Sequence, residues 1–126
     1  MASHAQPVIK SFIAGADLSA LQFRFVKIGA TDKEVIVCGA NEKSIGILMN
    51  DPASGETAEV AIGGGAKIKL SEALVALDLV TPDANGDGEQ VDLADEWCGA
   101  MLTEGGADND VVECLVKHFY SSKSDV

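Results

Sequence analysis

The sequence predicts a mainly β protein: a small single-domain barrel or sandwich with an internal pseudo-repeat and at most one or two short helical turns. Three observations carry this. A strand pattern is stated between Phe23 and Ile62 and again, more loosely, between Leu77 and Val116. Apolar and polar residues alternate with period two in the clearest segments. Glycine and acidic residues break the chain at short intervals. The two copies are offset by about 53–55 residues, shorter than an ordinary domain, so they must share one core. A chain of 126 residues can bury such a core without disulfides or metal.

The first strand candidate is Val8–Ile13, in which Val8, Lys10 and Phe12 alternate with Ile9, Ser11 and Ile13. It lies before the repeated unit, so residues 1–14 are expected to form an N-terminal arm or an edge segment, with 15–118 as the β-rich body. The first copy then reads Phe23-Arg24-Phe25-Val26, Thr31 to Val37, Ile45 to Leu48, the turn Ser54-Gly55-Glu56, and Ala58 to Ile62. In the last of these, Ala58, Val60 and Ile62 oppose Thr57, Glu59 and Ala61, and just downstream Ala66, Ile68 and Leu70 oppose Lys67 and Lys69. Each alternation implies one buried face and one wet face. Gly63-Gly64-Gly65 between them offers the positive φ that a tight connection needs.

Ser71 to Leu77 suits one helical turn, with Ser71 as cap, Glu72 in the first turn, and Leu74 and Leu77 on one side. The second copy follows as Leu77 to Val80, Asn85 to Val91, Cys98 to Met101, the turn Gly105-Gly106-Ala107-Asp108, and Val112 to Val116. Pro52 and Pro82 fall at strand exits, where a missing N–H does no harm. The polar runs 1–7 and 119–126 read as flexible ends.

The formal charge of −11 sets a repulsive field against nucleic-acid phosphates and anionic lipid surfaces, so neither is an expected partner. The acidic residues are spread over turns as a solvated rim. The N-terminus lacks the basic start and apolar block of a signal peptide, and no run approaches membrane-spanning length. Cys38, Cys98 and Cys114 have no CxxC or Cys/His spacing and read as small buried hydrophobes in a reducing cytoplasm.

No motif compels chemistry. Asp83-Ala84-Asn85-Gly86-Asp87-Gly88 matches the opening of an EF-hand calcium loop, but Ala94 stands where the bidentate glutamate belongs, and β-type sequence flanks it; a polar β-turn is preferred. Thr31-Asp32-Lys33-Glu34 resembles the modified-lysine turn of lipoyl carrier domains, yet the residue after the lysine is acidic and an ordinary charged hairpin is preferred. The three consecutive glycines lack a GxxxxGK[ST] frame and open no helix, so they are no phosphate loop. His4 and His118 have no local nucleophile or metal partner. The expectation is therefore no enzyme, no catalytic or metal-ligating residues, and no cofactor. A small β-barrel carrier or calcium module is the alternative class.

Several stretches together resemble the phage capsid cement, or decoration, proteins of the DUF2190 type. They are Pro7-Val8-Ile9-Lys10-Ser11-Phe12, Phe25 to Ala30, Ile45-Gly46-Ile47, Ala53 to Val60, and Leu77 to Gly86. The resemblance covers nearly the whole chain through turn and packing patterns. It implies a compact β-rich body, made in the host cytoplasm, that binds the outer surface of an assembled capsid. Such proteins commonly dock as trimers and stabilise the shell against genome pressure. The implied partners are the major capsid protein and further copies of the chain. Another virion part, such as a head-fibre or tail component, is the alternative within the same class. Val8, Ile9, Phe12 and Ile13 are the candidate contact residues with capsid or subunit, being apolar, clustered and outside the repeated unit.

Overall fold

The computed structural model describes residues 8–40, 42–72, 79–90, 96–101 and 111–120. They form nine strands: β1 Val8–Ala14, β2 Phe25–Ile28, β3 Glu34–Val37, β4 Gly46–Leu48, β5 Thr57–Lys69, β6 Leu79–Pro82, β7 Gly88–Gln90, β8 Glu96–Met101 and β9 Val111–Tyr120. The chain is mainly β, as its alternation predicts, and no helix occurs among the described residues. Leu74, Leu77 and the rest of 73–78, where a helical turn was expected, lie outside those residues, as does Ala94.

Strand pairing makes the internal repeat explicit. The first unit runs β1-β3-β2-β4-β5 and closes on itself because β5 pairs back with β1. Within it β1 and β3 are parallel while the other pairs are antiparallel. The second runs from the C-terminal part of β5 through β9, β8 and β6 to β7, and a parallel bridge from Leu70 to Gly88 returns β7 to the end of β5. The C-terminal part of β5 thus repeats β1, while β6, β7, β8 and β9 repeat β2, β3, β4 and the N-terminal part of β5. One long strand serves as the last of the first unit and the first of the second.

That double duty explains Gly63-Gly64-Gly65, where the sequence suggested a tight connection. The structure corrects this: the glycines lie inside one continuous 13-residue strand. Val8 pairs with Gly63 but Ile9 with Ala61, leaving Ile62 as the extra residue of a bulge, and Gly64 takes φ 76°. A bulge followed by glycine bends the strand from β1 and β4 toward β9. Alternation also fails at Ala61, which is buried beside buried Val60, because the outer face of the first unit there is covered by the second.

Two cores result. Ala14, Leu18, Val26, Val35, Leu48, Ala58 and Val60 fill the first unit, with Phe12 packed against them. Ile68, Leu70, Val80, Cys114 and Val116 pack with Phe25, Ile47 and Ala61 from the outer side of the first. Cys38 and Cys114 are buried in this second cluster, where they pack as small side chains.

The repeat conserves volume where it changes residues. Parallel partners Ala14 and Val35 in the first unit correspond to Leu70 and Gly88 in the second. A Cβ placed on Gly88 would lie 3.2 Å from both Ile68 Cγ1 and Leu70 Cδ2, so these side chains occupy the space Val35 fills in the first copy. Ile68→Ala is accordingly expected to cost about 2–5 kcal/mol in urea unfolding, and exposed Lys67→Ala to stay within about 0.5 kcal/mol. Equal midpoints for the two variants would contradict this packing.

Candidate functional site

The apolar segment singled out from sequence is β1, and it is paired on both flanks. Ala14 N–H donates to Glu56 C=O at 2.8 Å, so even-numbered residues turn their backbone groups toward β5. Ile13 N–H donates to Lys33 C=O at 2.8 Å and Gly15 N–H to Val35 C=O at 2.9 Å, so odd-numbered residues turn theirs toward β3. But β3 begins at Glu34, level with Ile13. The N–H and C=O of Ile9 and Ser11 therefore face a side on which no described strand runs, leaving Val8–Phe12 with an open edge.

Side chains alternate only at the C-terminal end of the strand, where Phe12 is half-buried against the first core and Ala14 buried, while Ile13 between them is 40% exposed. Val8 and Ile9 at its start are both exposed, at 56% and 43%. The Lys10 ammonium lies 5.8 Å from the Phe12 ring centroid, and Ser11 Oγ donates to Glu59 Oε1 at 3.0 Å. A groove of about 570 Å³ lies along this edge, between Lys10, Phe12 and Ile13 on β1 and Asp32 and Lys33 in the β2–β3 turn. Lys33 is exposed, as a carrier lysine would be, but its carbonyl is tied to β1, so the turn lies against the body. Sequence reasoning picked out the apolar residues and offered an edge segment for 1–14; what it did not give is which backbone groups stay open, and Lys10, a charge inside an apolar strand, marks that stretch.

The calcium-like segment forms the β6–β7 turn. Asp83 Oδ1 accepts the N–H groups of Asn85 at 2.8 Å and Asp87 at 3.0 Å, and Gly86 takes φ 84°. Asp87 Oδ1 lies 3.2 Å from Arg24 Nε in a largely buried ion pair. The Asp83 carboxylate is engaged as the acceptor of the turn, and the Asp87 carboxylate in the ion pair. Millimolar calcium should leave the melting temperature unchanged; a rise of several degrees, abolished by Asp83→Ala, would reinstate the cation reading.

Lys27 Nζ meets Glu42 Oε1 at 2.6 Å, and this ammonium, with the Gly39 N–H, holds the Glu42 carboxyl below its ordinary range. The contact is formed above the usual glutamate pKa and is lost as pH falls through the lowered value. His4 lies outside the described residues and His118 is on β9. No cluster of three or more His, Cys, Asp or Glu suited to a metal occurs among the described residues.

No family model matches the chain, and no curated protein matches it in sequence. Among solved structures it is similar to the N base of head fibre gp8.5 of bacteriophage phi29, with a TM-score of 0.69 over 92% of this chain and 100% of that one. The chain shares its fold with a phage head-fibre base. At 14% identity the likeness is one of fold, and it extends across both repeats.

Proposed function

We propose that this chain is a bacteriophage virion structural protein that docks on the outer capsid surface and stabilises the shell. The observation that carries it is the shared fold with the head-fibre base over the full length of that domain. The resemblance to DUF2190-type cement proteins supplies the finer reading: the major capsid protein as partner and a trimer as the docked form. The acidic rim, with net charge −11, suits a protein that must stay soluble at high copy number before docking. The exposed Val8, Ile9 and Ile13, with Phe12 behind them, are the proposed contact. A head-fibre component is the second reading, favoured by the neighbour's own place in its virion.

Because β1 belongs to the ring, the contact is tested by point changes rather than truncation. Labelled protein mixed with capsids from a phage lacking its gene should co-sediment and appear in electron microscopy as density on the outer shell. Ile9→Asp with Ile13→Asp should weaken docking by about 1–3 kcal/mol per copy, multiplied where several copies act together. Density confined to fibres or tail would move the protein to the second reading. Absence from particles would refute both.

A further inference from the structure

We infer that the open edge of β1 accepts an extended strand from a different polypeptide, one that places an acidic residue between two apolar ones. This rests on the proposed contact role of β1 and names how the contact is made. Ile9 and Ser11 present two N–H donors and two C=O acceptors to the β3 side, where β3 pairs only from Ile13 onward. Such a row of backbone groups is met in full by another strand.

Charge decides which strand. A second copy of β1 pairing antiparallel through the same groups would set Ile9 opposite Ser11 and Ser11 opposite Ile9. That register puts Lys10 directly opposite Lys10 of the other copy, where like charges destabilise a sheet. Lys10 thus disfavours self-pairing. Lys33 lines the same groove, with Asp32 as its acidic neighbour. An Asp or Glu opposite Lys10 is therefore favoured by the edge that rejects a second lysine. The residues flanking that acid lie opposite Ile9 and Ser11, on the face where Ile9 and Ile13 are exposed, and apolar side chains there would cover them. The ligand pattern is apolar-acidic-apolar in extended conformation.

A disulfide-closed hairpin peptide presenting Val-Glu-Val on one strand serves as the probe, read by fluorescence anisotropy and by amide exchange at Ile9 and Ser11. Exchange at these two amides should slow at least about tenfold on saturation, and a Val-Lys-Val hairpin should bind at least about tenfold more weakly. Ser11→Pro removes an outward N–H and no bond to β5, so it should abolish binding while the far-ultraviolet spectrum stays unchanged. Ser11→Ala should bind as the parent does. If Ser11→Pro fails to fold, an N-methyl group at Ile9 introduced by ligation makes the same test. No binding of the Val-Glu-Val hairpin, or equal binding of both hairpins, would overturn the inference. A dimer in sedimentation that Ser11→Pro dissolves would show that the occupant is a second copy instead. The probe contains no capsid, so its failure leaves the virion reading standing, and capsid binding insensitive to Ser11→Pro refutes only the edge.

Discussion

Gly46→Ala should leave the chain unable to fold, the largest effect expected of any single methyl group in it. Gly46 lies in β4, paired with Val26 of β2 and facing β5. A Cβ there would sit 2.0 Å from the carbonyl oxygen of Ala61, 2.9 Å from its carbonyl carbon and 3.0 Å from Val60 Cγ1. Two of these atoms are backbone, so no rotamer change relieves the overlap. Nor can β5 retreat, since β1 pairs with it beside Ala61 and β9 with it just beyond. Ser44 fixes β4 from the other direction: its buried hydroxyl donates to the Gly46 carbonyl and accepts the Gly46 N–H. Overpacking usually costs about 1–3 kcal/mol when side chains can adjust. With backbone on the far side the cost should exceed about 4 kcal/mol, most of the stability of a small domain. Gly55→Ala is the control, since φ is 85° but no atom lies within 4 Å of the added Cβ, and only about 1 kcal/mol should be lost. A Gly46→Ala protein with a urea midpoint near that of the parent would show that β4 and β5 are not held this closely.

How far the fold was legible follows from the same residues. The repeat could be read because Phe25-Val26, Ile47-Leu48 and Ala58 to Ile62 keep an apolar pattern that local geometry imposes wherever a strand has a buried face. The second copy looked looser for a packing reason. Val35 is matched by Gly88, whose missing side chain is supplied by Leu70 and Ile68, and no periodicity argument sees volume exchanged between neighbouring strands. The glycine run misled for a related reason: consecutive glycines signal a break in pairing, and whether the chain turns or bends depends on β9, some 50 residues away. The residues of the proposed contact were visible as apolar side chains. That Ile9 and Ser11 turn their backbone groups outward depends on where β3 starts, which is a matter of register and not of composition.

Arg24 carried no signal in the sequence, yet removing it or Asp87 should be the next most damaging change. Arg24 immediately precedes β2 of the first unit and Asp87 lies in the β6–β7 turn of the second, so their ion pair spans the repeat. The side chains are 16% and 9% exposed with Nε and Oδ1 3.2 Å apart. The N–H does not point at that oxygen, so the attraction is that of two charges in a poorly solvated site. The turn is seated alongside by its backbone, Phe25 N–H donating to Gly86 C=O at 2.8 Å. Taking away one partner strands the other charge where water reaches it poorly, at a cost of about 3–5 kcal/mol for either Arg24→Ala or Asp87→Ala. Removing both leaves no stranded charge. The double variant should therefore be less destabilised than the sum of the singles by about 1–3 kcal/mol in urea unfolding at constant slope. If the losses instead add within about 0.5 kcal/mol, the two charges do not act on one another, and the units are joined by their shared strand, the second core and the backbone bond from Phe25 to Gly86.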